Sequence, residues 1–248
     1  MTSRFKSKVV VITGAAMGMG KAHAIAFAAE GAKVYVTDIE ETAGQSVADE
    51  IGGSARFVKL DVSSEDDWMR LAQMIQRDDG RLDVLLNNAG MSVLRKFEDT
   101  DPAFFQKMLN INTLGTYYAV RALKPLLKAA GNASLIVVSS TASLSATGIS
   151  FAYGASKAAL NQMARTLSID LAPDGIRVNA ILPGMVDTPA FWEAAKDPRM
   201  VEMMMARTPL KRMAKAQEIA EVAMFLASDA GSFITGINLV VDGGMLAL

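Results

Sequence analysis

The 248-residue sequence predicts a doubly wound α/β fold, with a seven-stranded parallel sheet flanked by helices on both faces. Three observations predict it. Seven short β-branched runs alternate with helix-forming segments along the chain, several runs are apolar at consecutive positions, and a glycine cluster at 14–20 separates the first run from the first helix. Consecutive apolar positions suit strands covered by helices on both sides, because neither strand face meets water. Strict strand–helix alternation with right-handed crossovers then gives a parallel sheet.

The first strand is expected at 8–13, around Val9-Val10-Val11-Ile12, and the first helix at 19–30, ended by Gly31. A second strand at 33–38 precedes a helix at 42–50, and a third at 55–61 precedes a helix at 65–78 followed by Gly80. The fourth strand, 82–87, leads to one long helix at 102–129, and the fifth, 134–139, to a helix at 153–172. Pro173-Asp174-Gly175 stops that helix with ordinary turn chemistry. Strand 176–182, helix 217–228 and strand 237–242 complete the series. No repeat, low-complexity tract, charge block or proline-rich linker divides the chain, so residues 1–248 are expected to form a single domain.

Composition narrows the function. With 25 basic and 26 acidic side chains, the net charge of −1 offers no electrostatic footprint for nucleic acid. The absence of cysteine excludes disulfides, thiolate nucleophiles and sulfur-ligated zinc, and with one histidine, His23, no metal site is expected. The longest apolar runs, such as 222–227, fall far short of the ~20 residues a membrane-spanning helix needs. Thr13 and Gly14 interrupt the apolar start too early for a secretory signal, so a cytoplasmic protein without membrane partners is expected.

The loop Thr13-Gly14-Ala15-Ala16-Met17-Gly18-Met19-Gly20 lies between the first strand and first helix, where a Rossmann fold brings backbone N–H groups and a helix N-terminus to a pyrophosphate. Its G-x-x-x-G-x-G spacing departs from the G-x-G-x-x-G fingerprint. Asp38, ending the second strand, is placed to accept hydrogen bonds from a ribose diol. Its carboxylate would repel a 2′-phosphate, and Met17 and Ile39 supply no cation to neutralise one, so NAD is expected over NADP. Lys21 reads as an exposed helical lysine.

Across essentially its whole length the sequence resembles the short-chain dehydrogenase/reductase family. The resemblance rests on the loop at 13–20, Asp61-Val62, Asn87-Asn88-Ala89-Gly90, Asn112-x-x-Gly115, Ser140, Tyr153-x-x-x-Lys157, Ile176-Arg177-Val178-Asn179, Pro183-Gly184 and Val241-Asp242-Gly243-Gly244. It implies that Gly14, Met17, Gly18, Met19, Gly20, Asp38 and Ile39 surround the cofactor, that Asp61 and the Val62 backbone bind the adenine edge, and that Asn88, Ala89 and Gly90 line the cofactor ribose. It also implies that Pro183, Gly184, Val186 and Thr188 border the nicotinamide. Met17 stands where family members often carry serine or arginine.

Hydride transfer between an alcohol and a nicotinamide needs a group that takes the hydroxyl proton or returns it. Tyr153 can do both, but moving its pKa from ~10 down by about 3 units requires roughly 4 kcal/mol of phenolate stabilisation. Lys157, on the same helical face, is expected to contribute. The resemblance assigns Lys157 a second role on the nicotinamide ribose, Ser140 to the substrate oxygen, and Asn112 to a helix distortion that holds a proton-relay water. Ser140 is preferred to Ser139 because its spacing before Tyr153 matches the family. No G-x-S-x-G elbow supports a hydrolase.

The family carries its variable substrate lid where this chain has residues 189–209, which hold Phe191, Trp192, Met200, Met203, Met204 and Met205. Met91, Val93, Leu94, Leu144, Phe151 and Met185 are expected to complete the walls. The expected substrate is a hydrophobic, cyclic secondary alcohol or its ketone, and the alternatives are a 3-oxoacyl thioester and, from another class, a non-enzymatic NAD-sensing role. A homotetramer is expected by the resemblance, with Leu109, Leu114, Tyr117 and Tyr118 at subunit contacts.

Overall fold

The computed structural model describes residues 3–146, 148–195 and 197–247. Strands β1 (Val9–Thr13), β2 (Lys33–Asp38), β3 (Ala55–Lys59), β4 (Val84–Asn87), β5 (Ala133–Val138), β6 (Ile176–Pro183) and β9 (Asn238–Val241) form a parallel sheet of order β3-β2-β1-β4-β5-β6-β9. A separate two-residue pairing joins β7 (Val186–Asp187) to β8 (Ala214–Lys215). The central strands β1, β4 and β5 are buried at every residue, as their consecutive apolar positions require.

Helices α1 (Gly18–Ala29), α2 (Glu41–Ile51) and α9 (Ala216–Ala227) cover one face, where Phe27, Val47, Ile219 and Met224 pack on Val10, Ile12 and Leu86. Helices α3 (Glu65–Asp78), α5 (Gly115–Ala130) and α6 (Phe151–Asp170) cover the other, where Trp68, Leu71, Leu123 and Leu160 meet Val11, Leu85 and Leu135. The sheet is thus sealed on both sides, and its polar business falls to the strand ends. No helix among the described residues is long and apolar enough to cross a membrane.

Several boundaries differ from the sequence expectation. The long helix at 102–129 is three pieces: α4 (Pro102–Leu109), a π-helical turn (Asn110–Leu114) and α5. A 3.6-residue apolar period does not register the extra backbone residue that a π turn inserts. β3 stops at Lys59, before Leu60 and Asp61, and β4 begins at Val84. Helix α6 starts at Phe151, so Tyr153 lies in its first turn. The segment after β7 folds as α7 (Pro189–Ala194) and α8 (Pro198–Ala206), begun by side-chain caps from Thr188 and Asp197 with proline at the next position.

Candidate active site

Sheet order reverses between β1 and β4, and the loops leaving β1, β2, β4, β5 and β6 converge beyond their C-terminal ends, where open α/β sheets bind ligands. Thr13 joins the loops leaving β1 and β4. Its hydroxyl accepts from the backbone N–H groups of Asn88 and Ala89, each at 2.9 Å, while the Asn88 amide donates to the carbonyl of Thr13 at 2.9 Å. Gly14 turns with φ +63°, and a Cβ on Gly20 would stand 2.0 Å from the Gly14 carbonyl oxygen. These glycines are what let α1 start directly against the loop.

Met17, at the N-cap of α1, has an apolar side chain and makes no capping hydrogen bond, which leaves the first-turn N–H groups of Met19 and Gly20 for an anion. Asp38 lies beside this turn. Its Oδ2 accepts from Ala16 N at 3.0 Å and its Oδ1 from Glu40 N at 3.1 Å, using two of about four acceptor positions on an ionised carboxylate. The remaining lone pairs suit a ribose diol. Met17 and Ile39 are exposed, and Lys21 pairs with Glu50 at 2.7 Å rather than reaching the loop.

Farther along the same rim, Asp61 is exposed and accepts from both the backbone N–H and the hydroxyl of Ser63. Val62 is buried, with its carbonyl taken by Trp68 Nε1 at 3.0 Å. On the opposite side, Pro183 ends β6, Gly184 approaches Asp242 too closely for any Cβ, and Val186 is buried in β7. Thr188 caps α7 and stands against Gly18. An uncapped helix N-terminus, a diol acceptor and two flanking loops fit a nicotinamide dinucleotide.

The π turn carries Asn112 inward, where it is buried and fully engaged: Oδ1 accepts from Met91 N at 2.7 Å, and Nδ2 donates to Met91 O and Ser156 Oγ, each at 3.0 Å. A Cβ on Gly90 would lie 3.2 Å from both Asn112 Oδ1 and Lys157 Nζ, so these two groups close tightly around the glycine. Lys157 is buried at 4% exposure and donates to Val138 O at 2.8 Å. Burial lowers its pKa to about 8.

Tyr153 is half-buried one turn earlier, with its ring centroid 5.9 Å from Lys157 Nζ. Burial pushes its phenol above the ordinary value, partly offset by hydrogen bonding from the Ser140 and Ser92 hydroxyls. The ammonium is turned to the Val138 carbonyl, and at the phenol desolvation outweighs the two serine hydrogen bonds. Ser140 follows β5 and lines a cavity with Tyr153. Ser139 instead buries its hydroxyl against the Lys157 carbonyl at 2.9 Å.

That cavity, about 350 Å³, has mostly apolar walls. Phe191, Met200, Met203, Met204, Leu94 and Met185 line it as expected. Trp192, Met205, Met91, Val93, Leu144 and Phe151 do not line it: Trp192 donates to Asp187 Oδ1 at 2.8 Å, and Phe151 packs edge-to-face with Phe97 and tilted against Phe105. Sequence reasoning missed Ser92, Arg207, Met245 and Leu246. Arg207 was within reach of the methionine spacing, one step beyond Met203 and Met204 on the same helical face. The tail had no local signal. Asp242 brings it in by accepting from Gly244 N and Leu246 N, both at 2.8 Å.

A family model described as enoyl-(acyl carrier protein) reductase matches residues 14–246. A cyclopentanol dehydrogenase of Comamonas sp. (strain NCIMB 9872) is 37% identical over 247 residues, spanning 98% of this chain and 99% of that one. The crystal structure of a short-chain dehydrogenase/reductase, glucose/ribitol dehydrogenase, from Brucella melitensis superposes with a TM-score of 0.93 at 34% identity, covering 99% of each chain. A 7α-hydroxysteroid dehydrogenase complexed with NADH and 7-oxo glycochenodeoxycholic acid gives 0.93 at 34% identity, covering 98% of this chain and 96% of that one. With these likenesses running the length of the sequence, the chain belongs to the short-chain dehydrogenase/reductase family.

Proposed function

We propose that the protein is an NAD-dependent oxidoreductase that interconverts a hydrophobic, cyclic secondary alcohol and its ketone. The observation that carries this reading is the arrangement of Ser140 and Tyr153 in the wall of one apolar cavity, with buried Lys157 one turn behind Tyr153. Cyclopentanol and hydroxysteroid dehydrogenases among the relatives support the substrate class.

In this reading Ser140 holds the substrate oxygen and Tyr153 exchanges a proton with it. The bound nicotinamide supplies the hydride acceptor or donor, and its oxidised ring adds a positive charge to the site. Lys157, cationic below pH about 8, holds the nicotinamide ribose and biases the phenol toward ionisation when it turns from Val138. Asn112 fixes the Gly90–Met91 backbone beside it. Gly14, Met17, Gly18, Met19 and Gly20 take the pyrophosphate side, Asp38 and Ile39 the adenosine ribose, and Asp61 and Val62 the adenine. Asn88, Ala89 and Gly90, with Pro183, Gly184, Val186 and Thr188, border the nicotinamide half. The lid at 189–209 closes the apolar walls.

Asp38 favours NAD, because a 2′-phosphate would meet a carboxylate whose neighbours Met17 and Ile39 are uncharged. We place the protein in the cytoplasm as a homotetramer, supported by the exposed Leu114 and Tyr117 on the α5 side and Ile169 and Phe233 near α6 and β9. Following NADH formation from a panel of cyclic, steroidal and acyl alcohols tests the substrate class, and light scattering tests the assembly. Oxidation confined to acyl thioesters, or a preference for NADP, contradicts this reading.

A further inference from the structure

Arg207 is the one charged residue in the cavity wall among the described residues. It follows α8 in the αR conformation, so Met200, Met203, Met204 and Arg207 stand at i, i+3, i+4 and i+7 on one continuous face. The face that presents methionine sulfur and methyl groups to the cavity ends in a guanidinium. Among the described residues, the other cations in and just after the lid are occupied: Arg199 pairs with Asp197, Lys211 donates to the Ala206 carbonyl, and Arg212 pairs with Glu218. Arg207 is exposed, and its guanidinium has no hydrogen-bond or ion-pair partner among the described residues.

An apolar cavity with one unpaired cation selects a particular kind of molecule. A neutral hydrocarbon alcohol would use the methionine wall and Ser140–Tyr153 but leave Arg207 facing solvent. A molecule with a carboxylate on the end of its ring system remote from the reacting carbon would use all three, because a guanidinium fork matches a carboxylate in geometry and charge. We infer that the substrate is an anionic cyclic alcohol or ketone whose carboxylate is bound by Arg207 while its reacting oxygen sits at Ser140 and Tyr153. This deepens, and rests on, the reading of the site as a secondary-alcohol dehydrogenase. Arg207 acts here as a specificity residue and takes no part in the proton or hydride transfer.

The test compares 4-hydroxycyclohexanecarboxylate and a hydroxysteroid carboxylic acid with their uncharged carboxamides, by steady-state oxidation with NAD and by calorimetric titration of the protein held in saturating NADH. The full-length protein is expected to prefer at least one carboxylate over its carboxamide by about tenfold to a hundredfold in kcat/KM, the range of a hydrogen-bonded charge pair. Arg207→Met should abolish that ratio, chiefly through KM, while Arg199→Met, which removes the same charge from the adjoining helix outside the cavity, should keep it. Carboxylate binding that depends on Arg207 without turnover would retain the subsite and overturn the alcohol-oxidation reading. Turnover of the carboxamides with no preference for either carboxylate, a preference that survives Arg207→Met, or no binding of either acid would overturn the subsite.

Discussion

The ammonium of Lys157 is 5.9 Å from the ring centroid of Tyr153 yet donates its hydrogen bond to the carbonyl of Val138, at 2.8 Å. The pair is close enough for electrostatic coupling, while the lysine's hydrogen bond goes to a neutral backbone group in a buried site. Lys157 is a buried cation whose hydrogen bond to a neutral carbonyl offsets only part of its desolvation.

Replacing it should therefore separate stability from activity. With a folded pKa of about 8 against about 10.4 unfolded, burying the charged form costs about 3 kcal/mol below pH 8, less about 1 kcal/mol for the Val138 hydrogen bond. Lys157→Met should raise Tm at pH 7 by about 5 °C while abolishing turnover. The sign follows from proton counting: between pH 8 and about 10.4 the unfolded chain binds the extra proton, so the wild-type protein gains stability as pH rises and the variant's advantage shrinks. Thermal melts from pH 7 to 10 check this, and a variant less stable at pH 7 would contradict it.

His23 makes the opposite end of the pH scale informative. It is fully buried in α1, its ring nitrogens have no hydrogen-bond partner among the described residues, and burial lowers its pKa to about 3. The unfolded chain protonates this imidazole below about pH 6.5, so its contribution is intact above that value and is lost as pH falls toward 3. Chemical denaturation should show His23→Leu gaining about 3 kcal/mol on wild type between pH 7 and pH 4. A pH-independent difference would show that the imidazole is solvated.

Asp38 does two jobs with one carboxylate, since it pins the N–H groups of Ala16 and Glu40 and faces the expected diol. Asp38→Ala should raise the KM for NAD by about tenfold and shift the NAD-to-NADP ratio of kcat/KM by at least about tenfold toward NADP. Initial rates with both cofactors measure it, and an unchanged ratio would remove Asp38 from cofactor choice.

Much of this was legible in the sequence because the strands read as continuous apolar runs and the loop motifs stand at their ends. Val9 to Ile12 and Leu135 to Val138 are apolar on both faces, which only a doubly covered sheet allows. The π turn at Asn112 was legible only as a motif, since the amide it carries inward is held by Met91 and Ser156, distant in sequence. The same holds for the cavity. Met200, Met203 and Met204 announce a face by spacing, whereas Met245 and Leu246 arrive through the Asp242 turn, and Trp192 leaves the wall for Asp187. The phenol's upward shift depends on how much water is excluded around Tyr153, which no linear pattern encodes.

The most direct measurement is the rate of NADH formation from a cyclic secondary alcohol by the wild-type protein and by Tyr153→Phe, with NADH binding titrated in parallel. Loss of the proton-transfer group predicts a fall of about a thousandfold in kcat/KM with NADH affinity retained. Turnover by Tyr153→Phe at the wild-type rate would contradict the assignment of the chemistry to this phenol.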